Sequence, residues 1–135
     1  MERYFVDSNV FMRLYDRDDA AQSDMANDVL LRAKRGEIEL FCGPPVFFEV
    51  AWVLRSVYFL PNSDILDVLE AMLYTPNLRV LDADVVMDAI SLARNKKQNY
   101  PDSYIAVTAK KLDAGVVTFN RKHFTTLDAD LYPLA

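Results

Sequence analysis

Apolar residues fall along this chain in two rhythms. Short unbroken runs have the length and the β-branched or aromatic content of strands, and between them apolar positions recur at the three- and four-residue spacing of helices. Tyr4-Phe5-Val6 is the first run, has no polar interruption and predicts a strand buried on both faces, ending abruptly in Asp7. Asn9 to Tyr15 reads as a short helix or turn, and Asp16 to Asp19 is a polar break. From Ala20 to Arg35, the residues Met25, Ala26, Val29, Leu30 and Ala33 fall on one helical stripe. Lys34 and Arg35 close its last turn, and Gly36 stops it. Glu37 to Cys42 predicts a second strand, ended by Gly43-Pro44-Pro45.

Pro45 suits the first turn of a helix, where its missing N–H is not needed, and Val46 to Tyr58 then runs almost wholly apolar. That pattern predicts a helix buried on all sides. Asp64 to Tyr74 carries the inward stripe Ile65, Leu66, Leu69, Met72 and Leu73, and Arg79 to Leu81 predicts a third strand. Asp82 or Asp84 caps a helix from Val85 to about Asn95, with Val86, Ala89, Ile90 and Ala93 inward. Pro101-Asp102-Ser103 opens another, with the stripe Ile105, Ala106, Ala109 and Leu112. Val116 to Phe119 predicts a fourth strand ending at Asn120, a short turn follows, and Leu131-Tyr132 predicts a last edge strand.

Strands alternating with helices imply βαβ units with right-handed crossovers. The expected fold is α/β, a three-layer α/β/α sandwich around a central parallel sheet of four to five strands. No repeat, low-complexity segment or Gly/Ser linker divides residues 1–135, so a single domain is expected.

Composition then narrows the chemistry. Hydrophobic residues at 52% and charged residues at 26% describe an ordinary globular protein, and Cys42, the only cysteine, excludes an internal disulfide. No apolar run reaches membrane length, and Glu2 and Arg3 stand where a signal peptide needs a basic head and a greasy core. A cytoplasmic location without membrane contact is expected. The formal charge of −5 argues against a whole-surface grip on nucleic acid. It leaves room for a local basic rim, because acids that hold divalent cations make a protein look acidic even when its substrate is a polyanion.

Three acids stand in awkward places. Glu49 interrupts the apolar run Val46 to Leu54, and burying a carboxylate without partners would cost several kcal/mol. Either an ion pair, with Arg55 or another base, or a metal ion would offset that cost. Asp7 either caps Val10 to Leu14 or serves the crevice at the carboxyl end of a parallel strand, and Asp102 is either an N-cap or a ligand. All three fall at the same edge of the expected sheet, together with Asn120 and Thr118. Carboxylates without a His or Cys cluster suit hard cations such as magnesium or manganese, and His123 is the only histidine. The matching chemistry is phosphoryl transfer or phosphodiester hydrolysis.

These residues make the chain resemble the PIN domains, in length and layout most closely the VapC-type ribonuclease toxins of prokaryotic toxin-antitoxin pairs. The pieces are Val6-Asp7-Ser8-Asn9-Val10, Phe48-Glu49-Val50, Pro101 to Ala106, and Val117 to Phe124, in an order and spacing that together span essentially the whole chain. The family's acidic quartet falls on Asp7, Glu49, Asp102 and, where the family usually has aspartate, Asn120. A further acid often found three residues on falls on His123. Asparagine still offers a neutral oxygen, but the site loses one negative charge.

The resemblance implies endoribonuclease cleavage of single-stranded or structured RNA with magnesium or manganese held by Asp7, Glu49 and Asp102. It also implies homodimerisation and inhibition by a cognate antitoxin protein whose tail occupies the acidic groove. Ser8, Asn9 and Thr118 are the supporting polar residues. Arg13, Lys96, Lys97, Arg121 and Lys122 are the candidate RNA contacts, with solvated surface as their plain alternative. Most phenylalanines and Trp52 are expected in the core, Tyr100 and Tyr104 are the candidates to stack on a base, and Tyr58 to Leu60 belongs to the core or a dimer interface. Two further readings stay open. An aspartyl phosphatase of the haloacid dehalogenase type is motivated by Asp7-Ser8-Asn9-Val10, although Asn9 stands where that mechanism needs an acid. A PIN-like module that binds RNA or a protein without cutting is motivated by Asn120 and His123.

Overall fold

The structure is a computed structural model that describes residues 1–134. Three strands, β1 (Arg3–Phe5), β2 (Glu39–Cys42) and β3 (Leu78–Val80), form a parallel sheet in the order β1-β2-β3. Two helices, α1 (Ser8–Tyr15) and α2 (Ala20–Lys34), lead from β1 to β2, and α3 (Pro44–Ser56) and α4 (Asn62–Leu73) lead from β2 to β3. Three more follow: α5 (Ala83–Lys96), α6 (Tyr100–Lys111) and α7 (Arg121–Thr126). The α/β class and the parallel pairing are those expected, with Arg3 opposite Glu39 and Leu40 opposite Leu78.

The number of strands is not. Among the described residues the segment expected as a fourth strand makes one parallel bridge, Val116 with Leu131, and joins no sheet. Its backbone exchanges Val116 N–H to Asp130 O at 2.7 Å and Tyr132 N–H to Val116 O at 2.9 Å. Beyond Val116 the chain turns locally, with the Asn120 N–H bonded to the Thr118 hydroxyl at 2.9 Å, an alternative to a ladder bond. Phe119 is left 93% exposed.

β1 also departs from expectation. It is an edge strand whose three residues are all exposed, and burial starts only at Val6, whose N–H bonds to the Phe41 carbonyl at 2.8 Å. Among the described residues no strand is buried on both faces. In the central β2, Leu40 and Cys42 point into the core, while Glu39 and Phe41 are half-buried on the other face. There the Arg3 and Arg79 guanidinia stand 5.2 and 5.7 Å from the Phe41 ring, and Glu39 bonds to Arg3 at 3.1 Å and pairs with Arg79 at 3.7 Å.

The helices follow their stripes with informative exceptions. α2 ends as predicted: Gly36 adopts φ +77°, and Glu37 N–H to Arg32 O and Gly36 N–H to Ala33 O, both at 3.0 Å, close the helix. Its inward face carries Ser23, whose hydroxyl donates to Arg13 O at 2.7 Å, while Met25 faces out. In α6 the buried positions are Tyr100, Ser103, Ala106 and Val107, so Ile105 and Leu112 of the predicted stripe lie at the surface. Ser103 can be fully buried because its hydroxyl donates to the Asn99 carbonyl at 2.7 Å.

The core lies between the sheet and α1 to α6, and a smaller apolar cluster of Ala106, Val116, Phe124 and Leu127 gathers the C-terminal segment. At the centre of the main cluster Cys42 is fully buried, and burial pushes its thiol up to about 11. Tyr100 is as deeply buried and its hydroxyl is pushed upward, first by burial and then by Tyr104 and Cys42. Unfolded chains lose the thiol proton first, near pH 8.5. The contribution of the buried neutral thiol is therefore complete below that value and lost as the pH rises toward about 11. Urea unfolding at increasing pH should show a midpoint that falls over this window, and the fall should be shallower in Cys42→Ala. An identical slope in the variant would refute the assignment.

Candidate active site

The carboxyl edge of the sheet is where β1, β2 and β3 give way to Val6-Asp7, Gly43 and Leu81. Gly43 stands beside both neighbouring strand ends: a Cβ on it would lie 3.6 Å from Leu81 Cβ and 3.7 Å from the Phe5 ring. Asp7 therefore leaves the sheet next to the start of α3. It takes the N-cap position of α1 in extended conformation (φ −82°, ψ 160°), yet its carboxylate makes no capping bond. The plain capping role weighed from sequence is not taken up. Asp7 is exposed, and among the described residues its carboxylate has no hydrogen-bond or ion-pair partner. Ser8 is buried beside it and Asn9 is exposed.

Glu49 corrects the sequence reading. α3 is not buried all round: Pro45, Glu49, Trp52 and Arg55 lie exposed at helical spacing, while Val46, Phe47, Val50, Ala51 and Leu54 are buried. Trp52, expected in the core, is 62% exposed and disguised this face as apolar. Glu49 thus pays no burial cost, and among the described residues it pairs with neither Arg55 nor any other base. Its neighbour Phe48 points the other way and packs on Tyr100 and Tyr104, with ring centroids 5.5 and 4.9 Å away. This joins the first half of α3 to the first turns of α6, where Asp102 lies.

Asp102 sits in the first turn of α6 but does not cap it. The cap is Asn99, whose Oδ1 accepts the Asp102 N–H at 2.8 Å while its Nδ2 donates to Asp102 Oδ2 at 3.0 Å. This is a capping box closed through side chains, in the first turn where the helix dipole favours a negative charge. The same Oδ2 meets His123 Nδ1 at 3.1 Å, and that nitrogen lies 2.8 Å from the Asn120 amide. Asn120 in turn bonds through its N–H to Thr118. Of the residues singled out from sequence, Asp102, Asn120 and Thr118 come together, and Asn99 and His123 complete their network. Asn99 was legible as an Asn-x-x-Asp capping box; His123 had only its three-residue spacing from Asn120.

Asp7 and Glu49 take no part in that network. Among the described residues no three His, Cys, Asp or Glu side chains come together closely enough to hold a metal ion. The candidate RNA contacts are scattered. Arg13 bonds to Gln22 of α2, Lys96 pairs with Asp128 at 2.9 Å, and Arg121 donates to the Tyr132 carbonyl at 3.1 Å. Lys97 and Lys122 are exposed and, among the described residues, free of ion pairs. Tyr100 is too deeply buried to stack on a base; Tyr104 is half-buried. A cavity of 650 Å³ lies elsewhere, between α5, α6 and the C-terminal segment, lined by Asp88, Lys111, Asp128 and Asp130 but by none of the candidate site residues.

The capping box gives a direct test. Asn99→Ala should lower the unfolding free energy by about 1 kcal/mol, and Asn99→Gly by only a few tenths. Urea unfolding of both variants measures this, and losses that ignore the substituent would argue against capping.

From residue 4 to residue 129 the sequence matches the PIN domain family. No curated protein matches the chain. Among solved structures it is similar to VapBC2 from Rickettsia felis bound to a DNA fragment from their promoter, with 18% identity over 96% of this chain and 97% of that one and a TM-score of 0.39. It is also similar to FitAcB from Neisseria gonorrhoeae, with 20% identity over 96% of each chain and a TM-score of 0.32.

Proposed function

The chain belongs to the PIN domain family, and on that premise we propose that it is a divalent-metal-dependent endoribonuclease that hydrolyses phosphodiester bonds of single-stranded RNA. The observation that carries this reading is Asp7. It stands at the carboxyl end of β1 in the N-cap position, with an exposed carboxylate that caps nothing and, among the described residues, pairs with nothing. An acid so placed without a structural duty is available for chemistry.

Asp7, Glu49 and Asp102 would hold the cation, magnesium or manganese. The donor set supports the assignment rather than a preformed cluster. All three are carboxylates, the ligands hard cations take; Asp7 and Glu49 are exposed, and the network engages only Oδ2 of Asp102. When bound, such an ion polarises the phosphate and lowers the pKa of an attacking water. The chain's own part is to position. Asn99 holds the Asp102 carboxylate, Thr118 holds the Asn120 backbone, and Ser8 and Asn9 follow Asp7 directly along the chain. Lys97 and Lys122, exposed and among the described residues free of ion pairs, are the bases left to take phosphates, whereas Arg13, Lys96 and Arg121 are engaged elsewhere. Asn120 leaves the site one negative charge short of a four-acid set. We further propose a VapC-type toxin role, as a cytoplasmic homodimer neutralised by a cognate antitoxin. Among the described residues no helix is long and apolar enough to cross a membrane.

A second reading, a PIN module that binds RNA or a protein without cutting, is favoured by the separation of Asp7 and Glu49 from the Asp102 network. One assay separates the two. Antitoxin-free protein with magnesium or manganese should cut single-stranded RNA, and a chelator should stop it. Asp7→Asn and Glu49→Gln should each slow cleavage by about a hundredfold or more, the loss expected when several kcal/mol of transition-state stabilisation goes. Cleavage indifferent to chelator and to both substitutions would refute the reading, and RNA binding that persists without metal or cleavage would establish the second.

A further inference from the structure

One face of the sheet packs on the helices; the other does not. Strand alternation and the parallel register put Arg3 and Phe5 of β1, Glu39 and Phe41 of β2 and Arg79 of β3 on that second face. Phe5 stands beside Phe41, and Phe41 beside Arg79, in a row across all three strands. Among the described residues none of these side chains joins the core cluster that Leu40, Cys42 and Leu78 form with the helices. Phe5 is 57% exposed, and the Arg3 and Arg79 side chains are 63% and 65% exposed.

The charge on this face is unbalanced. Arg3 spends one N–H on Glu39 at 3.1 Å, and Arg79 meets the same carboxylate at 3.7 Å, so two guanidinia share one negative charge. One positive charge is left over on a chain whose net charge is −5. Both guanidinia are seated against the Phe41 ring, at 5.2 and 5.7 Å from its centroid, by cation–π attraction. Seating them there spares a flexible side chain the ordering cost it would otherwise meet on binding.

Exposed rings and guanidinium planes side by side suit a polyanion that carries flat faces of its own. Unpaired bases stack on both kinds of surface, and arginine N–H edges take phosphate oxygens. A duplex hides its base faces, and an acidic peptide would match the charge but leave the Phe5 ring unused. The row also leads to the candidate site. A Cβ on Gly43 would lie 3.7 Å from the Phe5 ring, at the carboxyl edge of the sheet, and Asp7 follows Phe5 by two residues.

We propose that this open sheet face is a platform for single-stranded RNA, on which bases stack on Phe5 and on the guanidinia that Phe41 seats, while Arg3 and Arg79 take the phosphates. This rests on the RNA reading above and names the surface along which that substrate reaches Asp7.

Binding is measured with magnesium present in the Asp7→Asn background, using labelled oligoadenylate and an abasic ribose-phosphate chain of equal length. Oligoadenylate should bind about fivefold or more tighter than the abasic chain, and Phe5→Leu should remove that advantage. Phe5→Tyr, which restores an aromatic face, should restore it, as a variant that merely unfolds could not. Arg79→Gln should weaken both ligands and flatten the dependence of log affinity on log salt by about 0.7. With Asp7 intact, the effect of Phe5→Leu on RNA cleavage should fall on KM rather than on kcat. Equal affinity for the two chains, or indifference to Phe5→Leu and Arg79→Gln, would overturn the platform while RNA cleavage by the unsubstituted protein kept the nuclease reading. Phe5-dependent binding by a protein that cuts nothing would keep the platform and overturn the nuclease reading. Neither binding nor cleavage would overturn both.

Discussion

The contact on which the arrangement depends is the packing of Phe48 against both Tyr100 and Tyr104. It fixes α3 against α6, and these two helices carry Glu49 and Asp102 on the residues adjoining that cluster. Aromatic rings at 5–6 Å hold through area and quadrupole geometry together, so the join resists sliding as well as separation. Phe48 is half-buried against the two tyrosines, whereas Glu49 lies on the exposed face of α3. The Glu49 carboxylate is in solvent and, among the described residues, takes no part in the hydrogen-bond network of Asp102.

Much of the fold was legible because several of its signals are local. Gly36 had to end α2, since the left-handed turn it makes is one that other residues resist. Ile65, Leu66, Leu69 and Met72 mark a stripe that tertiary structure had no reason to override. Where the reading failed, a side chain was doing something its type does not announce. Trp52 sits at the surface and made α3 look uniformly greasy, which turned Glu49 into a false burial problem. Ser103 is buried because it bonds to its own helix, which rotated the inward face of α6 by one position. Val116 to Phe119 has strand-like residues, but strand formation needs a partner with unfilled backbone groups, and only Val116 finds one.

The site was legible to a similar degree and for the same reason. Order along the chain identified Asp7, Glu49, Asp102 and Asn120 as candidates, because parallel α/β folds deliver strand ends and helix starts to one edge. It carried no information on rotamers or on which carboxylate had prior hydrogen bonds. Asp102 is committed to Asn99 and His123, whereas Asp7, in the position most suited to capping, caps nothing. Capping preferences rank residue types; they do not say which of two neighbouring polar residues takes the role.

The position of β1 at the rim of the sheet has a consequence for solubility. Its outer row of peptide groups is a template on which another extended chain could dock, the usual route to fibrillar association. With three residues, the template supplies too few backbone bonds to nucleate a lasting cross-chain pairing. Brevity, with Arg3 at its start, protects an aromatic edge that greater length would have turned into an aggregation hazard.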